Sequence, residues 1–233
     1  MSSSLVVAVD GPSGSGKSSV SRAVARALGV GYLDTGAMYR AVTWWCLEEG
    51  VELADREAVA QAARDIPLEM GTDPARPRVL VSGRDVETDL RTTRVSEVVS
   101  QVATNTAVRP VLQQLQRDLI RRIAAETGGV VAEGRDITTV VAPDADVRVL
   151  LTASVEARLR RRSTELHGHA EDNAVAATHD QIVRRDADDS TVSAFHEAAD
   201  GVVLVDTSDL DFEGSVDAVL DVVRRMAPEK VAG

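Results

Sequence analysis

Leu5-Val6-Val7-Ala8-Val9-Asp10-Gly11-Pro12-Ser13-Gly14-Ser15-Gly16-Lys17-Ser18-Ser19 is the stretch that decides the fold. Leu5 to Val9 is short, apolar and mostly β-branched, which predicts a strand, and Asp10-Gly11-Pro12 stops it. Helical spacing begins at about Gly16, with Val20, Val24, Ala27 and Leu28 on one face, and Gly29 closes it. Strand, glycine loop and helix follow in that order. Gly11 to Ser18 matches G-x-x-x-x-G-K-S/T in full. Glycines let successive backbone N–H groups turn inward around a phosphate chain. The helix start adds unpaired N–H groups and the positive end of its dipole. Lys17 supplies a cation for the β- and γ-phosphates, and the Ser18 hydroxyl suits Mg²⁺, which prefers hard oxygen ligands. The expected ATP-binding set is Gly11, Pro12, Ser13, Gly14, Ser15, Gly16, Lys17, Ser18 and Ser19. Such a loop binds a triphosphate but does not name a reaction.

Outward from the loop, short apolar runs alternate with helical patterns. Gly31–Leu33, Gly129–Ala132, Val147–Leu151 and Val202–Val205 read as further strands. Helices are expected at about 35–49, capped by Asp34 or Thr35, and at 55–64, 92–104, 109–126, 154–165 and 214–226, with another running to about 186. Met38, Val42, Trp45 and Cys46 share a face of the second helix, and of Trp44 and Trp45 one is expected in the core. Alternation of this kind implies a parallel sheet covered on both faces, with ligands beyond the carboxyl ends of its strands. Residues 66–90 break the pattern: short β-like runs joined by Gly and Pro turns predict a small antiparallel insertion. Residues 163–180 are polar and read as a surface loop, with His167 and His169 as solvated side chains.

Composition narrows the class. The chain has 233 residues with 44% hydrophobic and 27% charged, ordinary for one large globular domain or one domain with an insertion. Its net charge of −11 argues against a nucleic-acid or anionic-membrane binder, yet leaves room for a local phosphate site. The single cysteine, Cys46, excludes an internal disulfide and fits a reducing, cytoplasmic setting. No apolar run reaches the length of about 20 residues that spans a bilayer, and the N-terminal MSSSLVVAVD has no basic flank and does not read as a signal peptide. A monomer is the default expectation.

Chemistry-bearing residues gather at the strand ends. Leu33-Asp34-Thr35-Gly36-Ala37-Met38-Tyr39-Arg40 follows the second strand, and Glu133-Gly134-Arg135-Asp136 follows the third. The glycine lets a ligand approach the backbone, and Arg135 has a planar fork for phosphate. Glu133, with Asp206 as competitor, is a candidate carboxylate near the Mg²⁺.

The stretches GPSGSGKSS, LDTGAMYR, SQVA followed by VRP, and EGRD, in that order and with the β insertion, make the chain resemble bacterial cytidylate kinases across most of its length. The resemblance implies a P-loop kinase fold: a five-stranded parallel sheet flanked by helices, with an insertion for the nucleoside monophosphate at about 51–91 and a mobile lid at about 158–185. The core would then comprise about 1–50, 92–160 and 190–233. It implies transfer of the γ-phosphoryl of ATP to CMP or dCMP, with Mg²⁺. By its motifs Asp34, Thr35, Tyr39, Arg40, Gly134 and Arg135 belong to the acceptor site, with Arg40 and Arg135 on the acceptor phosphate. Ser100, Arg109 and Asp136 would read cytosine, Arg185 and Asp189 would hold the ribose, and Lys17, Arg158 and Arg162 would serve the transferring phosphates. One departure stands out: family members often carry an Arg shortly after the Asp-Ser pair, whereas Asp189-Ser190-Thr191-Val192-Ser193 has none, leaving Arg184 or Arg185 to substitute. The rivals are a P-loop kinase for another small acceptor, such as shikimate, and a nucleotide-driven switch. LDTGAMYR and the insertion count against the first, and the lack of an Asn-Lys-x-Asp base reader counts against a GTPase switch.

Overall fold

A computed structural model describes residues 4–161 in full, the backbone of 162–167, and residues 187–188, 190–193, 195 and 197–231. The strands are β1 (Leu5–Asp10), β2 (Gly31–Asp34), β3 (Leu68–Met70), β4 (Val79–Val81), β5 (Arg84–Asp85), β6 (Gly129–Gly134), β7 (Val147–Thr152) and β8 (Val203–Asp206). Five of them form one parallel sheet, as the alternating pattern predicts, and the order is β2-β6-β1-β7-β8. The other three form the antiparallel sheet expected within 66–90.

The main helices are α1 (Lys17–Leu28), α2 (Thr35–Glu48), α3 (Arg56–Asp65), α4 (Thr93–Ser96), α5 (Val99–Ala103), α6 (Val108–Thr127), α7 (Val155–His167) and α8 (Phe212–Met226). They cover the sheet on two sides. One apolar layer joins Leu33, Ala132, Met38, Leu112 and Ile123, and runs on into the insertion. The opposite layer joins Val7, Val9, Val20, Val24, Val149 and Val223. β6 is buried at every position, the mark of a strand covered on both faces, so Glu133 is carried inside with its apolar neighbours. Among the described residues no helix is long and apolar enough to cross a membrane.

Three expectations are corrected. The helix expected at 92–104 is broken into α4 and α5, with a 3₁₀ turn at Asp89–Arg91 just before them. Thr92, Thr93, Val95, Val98 and Val99 are β-branched and weak helix formers, and burial of Leu90, Val95, Val99 and Val102 holds the separate turns instead. Asp34, and not Thr35, caps α2: its Oδ1 accepts the Ala37 N–H at 2.9 Å. Asp206 does not compete with Glu133, because β8 is the far edge strand, two positions from β1, and the Asp206 carboxylate is exposed and bonded by Ser208. Of the two tryptophans, Trp44 is the buried one, with the Arg84 guanidinium 5.3 Å from its ring centre.

Candidate active site

β2, β6 and β1 lie side by side, so the loops leaving their carboxyl ends open on one crevice. A cleft of about 490 Å³ lies there, with Ser13, Gly14, Gly16, Lys17, Ser18 and Ser19 on its phosphate-loop wall. Gly11, Pro12 and Ser15 are buried behind that wall. The loop needs glycine at Gly14, where φ is +74° and an added Cβ would lie 2.8 Å from the Arg158 carbonyl oxygen. α1 begins immediately at Lys17, so its first unpaired N–H groups and dipole face the cleft.

Glu133 sits at the floor of this wall, 2% exposed. The parallel register sets Val9 beside Glu133 and Asp34 beside it on the other flank. The Ser18 hydroxyl donates to its Oε1 at 2.6 Å, the Tyr32 hydroxyl donates to the same oxygen at 3.2 Å, and Lys17 Nζ lies 4.0 Å from Oε2. Burial pushes the Glu133 carboxyl up to about 7; Asp34 adds to the rise, and Lys17, Ser18 and Arg135 oppose it. Burial also pushes the Tyr32 hydroxyl well above its ordinary value. A serine hydroxyl, a buried carboxylate and a lysine at one helix start form a hard-oxygen donor set beside a cation, which fits Mg²⁺ held with phosphate oxygens.

The cleft is strongly cationic. Lys17, Arg22, Arg40, Arg78, Arg91 and Arg135 reach the cleft against only Asp34, Glu87 and Glu133, although the whole chain is acidic. Arg40 is held by bonds to the Leu90 carbonyl at 2.9 Å and Ser96 Oγ at 3.0 Å. Arg135 Nη1 donates to the Gly11 carbonyl at 2.5 Å, and its guanidinium lies 4.9 Å from the Phe195 ring centre. Beside it, off the cleft wall, Asp136 is 4% exposed and its Oδ2 accepts from Arg109 Nη2 at 2.6 Å and Gln113 Nε2 at 2.8 Å. Arg109 also donates to Ser193 Oγ at 3.1 Å and the Ala103 carbonyl at 3.1 Å.

Other expected residues take different places. Thr35 is buried and its hydroxyl donates to the Glu133 carbonyl at 2.8 Å, so it braces β6 rather than facing the cleft. Gly134 is needed for packing: an added Cβ would collide with Thr35 Oγ1 and lie 2.8 Å from Ile137 Cδ1. Tyr39 is 8% exposed and packs in the core. Ser100 is half-buried on α5, off the cleft wall, with its carbonyl bonded by Thr104. Arg158 lies against the phosphate loop, donating from Nη1 to the Ser13 carbonyl at 3.0 Å, and Arg161 next to it donates to Ser15 O at 3.2 Å and Thr207 Oγ1 at 2.9 Å. Arg162 belongs to α7, but its side chain, together with Arg184, Arg185, Asp189 and the part of the expected lid from 168 onward, lies outside the described residues.

Sequence reasoning missed Gln113, Tyr32, Arg22, Arg78 and Arg91. Gln113 follows Arg109 by one helical turn on α6, a spacing that places both on one face. The arginines of 78–91 carried no signal, because only folding brings the insertion onto the cleft. There Arg22 Nε donates to the Pro74 carbonyl at 3.0 Å and Tyr32 N–H to the Thr72 carbonyl at 2.9 Å.

A family profile described as cytidylate kinase matches residues 7–225. The cytidylate kinase of Rhodococcus opacus strain B4 is 50% identical over 223 residues, covering 95% of this chain and 95% of its own. That of Streptomyces griseus is 47% identical over 222 residues, covering 95% and 93%. That of Mycolicibacterium paratuberculosis is 47% identical over 230 residues, covering 97% of each chain. Identity at this level over nearly the whole length, around a phosphate loop that opens on an arginine-lined cleft, makes the chain a member of the cytidylate kinase family.

Proposed function

We propose that the protein transfers the γ-phosphoryl of ATP to CMP or dCMP, giving ADP and CDP or dCDP. The observation that carries this reading is one cleft with two kinds of wall. A phosphate loop with Lys17 and Ser18 faces Arg40 and Arg135, next to the Arg109–Asp136–Gln113 cluster. In this reading residues 51–91 are the acceptor-binding insertion, the remainder to 160 and from 190 is the core, and about 158–185 is the lid.

Lys17 and the loop N–H groups hold the β- and γ-phosphates, while Arg40 and Arg135 hold the acceptor phosphate in line. Ser18, with Glu133 behind it, would hold Mg²⁺, which when bound neutralises charge on the phosphate oxygens. The attacking group is an acceptor phosphate oxygen whose second pKa is about 6, so it is largely ionised near neutrality and needs no general base. The rate then comes from alignment and charge neutralisation. Cytosine is read by its N4 amino group and its N3 and O2 acceptors. Both described bonds to Asp136 fall on Oδ2, which leaves Oδ1 for the N4 amino group, and the Arg109 guanidinium suits N3 and O2. Uracil would put a carbonyl against that carboxylate. Arg158 and Arg161 support the reaction by bracing the phosphate-loop carbonyls, and Arg162 with the lid closes over the phosphates and keeps water out.

The test is ADP release from Mg-ATP with CMP, dCMP, UMP, AMP, dTMP and shikimate as acceptors against a no-acceptor control. Strong stimulation by CMP and dCMP alone is expected. Stimulation by a different acceptor would retain the kinase and discard the base reader. Hydrolysis indifferent to acceptor would favour a nucleotide switch.

A further inference from the structure

Asp10 ends β1 one residue before the phosphate loop and is 1% exposed. A carboxylate buried that deeply needs its lone pairs filled. All its partners come from one distant segment. Oδ1 accepts the Ile137 N–H at 2.9 Å, and Oδ2 accepts the Thr138 N–H at 2.8 Å and the Thr138 hydroxyl at 2.6 Å. Those two amides open a π-type turn, Ile137–Val141. First-turn amides have no acceptor within their own turn and ordinarily bond a side chain just before it. The residue in that place is Asp136, and its side chain makes no cap bond. Its carboxylate is turned instead to Arg109 and Gln113. One carboxylate with this geometry does not serve both tasks, and Asp10 performs the capping from another strand. A second tie runs beside it, from Arg135 Nη1 to the carbonyl of Gly11, the residue after Asp10.

We propose that Asp10, acting with the Thr138 hydroxyl, is a positioning residue for the acceptor nucleotide: by capping the 137–141 turn in trans, it frees the Asp136 carboxylate and fixes Arg135 and Asp136 to the phosphate loop. The inference rests on the reading of Arg135 and Asp136 as ligands of a cytidine monophosphate. It adds that donor and acceptor loops share one buried clamp. Asp10 is buried behind the loop and does not line the cleft, so its effect reaches the acceptor through residues 135–138. A change there weakens acceptor recognition and alignment and leaves the triphosphate cradle intact.

The experiment uses the full chain as wild type, Thr138→Val, Thr138→Ser and Asp10→Asn. Initial rates are measured over a matrix of CMP and Mg-ATP, with ADP affinity by calorimetry and melting temperature for each protein. Thr138→Val removes one bond to Oδ2 and keeps the backbone amide. It is expected to raise KM for CMP about fivefold or more, with KM for ATP and the ADP affinity within about twofold of wild type. Thr138→Ser restores the hydroxyl and returns KM for CMP to the wild-type range. Asp10→Asn turns an NH₂ group toward one of the amides, and kcat/KM for CMP is expected to fall about tenfold to a hundredfold with ADP affinity retained. If Asp10→Asn does not fold, the Thr138 pair decides alone. KM values for ATP and CMP that rise together, a loss that follows melting temperature alike in Val and Ser, or wild-type kinetics in Thr138→Val each overturn the proposal. A wild type that CMP does not stimulate overturns the kinase reading and this inference with it; a stimulated wild type with acceptor-neutral variants overturns the inference alone.

Discussion

Glu133 shows how one residue's chemistry is set by its neighbours. An exposed glutamate is ionised near neutrality, but burial and Asp34 raise this one to about 7. A carboxyl whose folded pKa exceeds its unfolded value of about 4.5 holds its proton more tightly when folded. The associated stability is therefore present below pH 4.5 and lost as pH rises through about 7. Melting temperature of the nucleotide-free, metal-free protein should fall from about pH 5 to about pH 8, and Glu133→Gln should flatten that slope. Thermal melts across this range check it, and an unchanged slope in the variant would assign the pH dependence elsewhere. Asp136 makes a second prediction. If Oδ1 takes the cytosine amino group as proposed, Asp136→Asn lowers the ratio of kcat/KM for CMP over UMP by about tenfold or more, since mismatched buried polar groups cost about 1–3 kcal/mol. An unchanged ratio would remove Asp136 from base reading. The same cluster marks the limit of sequence reading: EGRD points to Arg135 and Asp136, but nothing in it reveals that Gln113 shares Oδ2 or that Gly134 is there to make room for Thr35.

Among the elements, α6 stabilises most directly. Leu112 and Ile123 are fully buried against the sheet layer of Leu33 and Ala132. Leu112→Ala leaves a cavity and should cost about 2–5 kcal/mol, read from denaturant unfolding. α3 in the insertion depends on its cap: Asp55 Oδ1 accepts the Ala58 N–H at 3.0 Å. Asp55→Ala should cost about 0.5–2 kcal/mol, with a rise in KM for CMP on the proposed reading, because residues within 70–91 line the cleft. The long amphipathic helices and the buried strands were legible from period alone. The broken segment 89–103 was not, because its apolar spacing suits a helix while its β-branched residues resist one, and only packing of Leu90, Val95 and Val102 decides between them.

At the scale of the molecule, a chain of net charge −11 surrounds a cleft whose wall is cationic. That contrast concentrates anionic nucleotides at one place. Ligands that engage the folded state alone stabilise it by mass action, about 2.7 kcal/mol at a hundredfold excess over Kd. For a chain of this size that corresponds to a rise of about 5–10 °C in melting temperature with CMP alone. A rise with CMP in wild type that is lost in Arg135→Ala would tie the shift to the acceptor wall, and an equal rise in both would detach it.

The sequence by itself determined the strand, glycine loop and first helix, the alternation that builds a parallel sheet, the antiparallel insertion and the family. Each of these rests on residues near one another in the chain, where period, capping and turn chemistry act locally. Tertiary structure alone decided the order β2-β6-β1-β7-β8, which puts Glu133 between Asp34 and the phosphate loop and leaves Asp206 at an edge. It also decided that Asp10 caps a turn 127 residues away and that Arg158 braces the loop carbonyls. These depend on desolvation and on lone pairs filled across strands, and a buried carboxylate's partners become known only when the chain that surrounds it has folded.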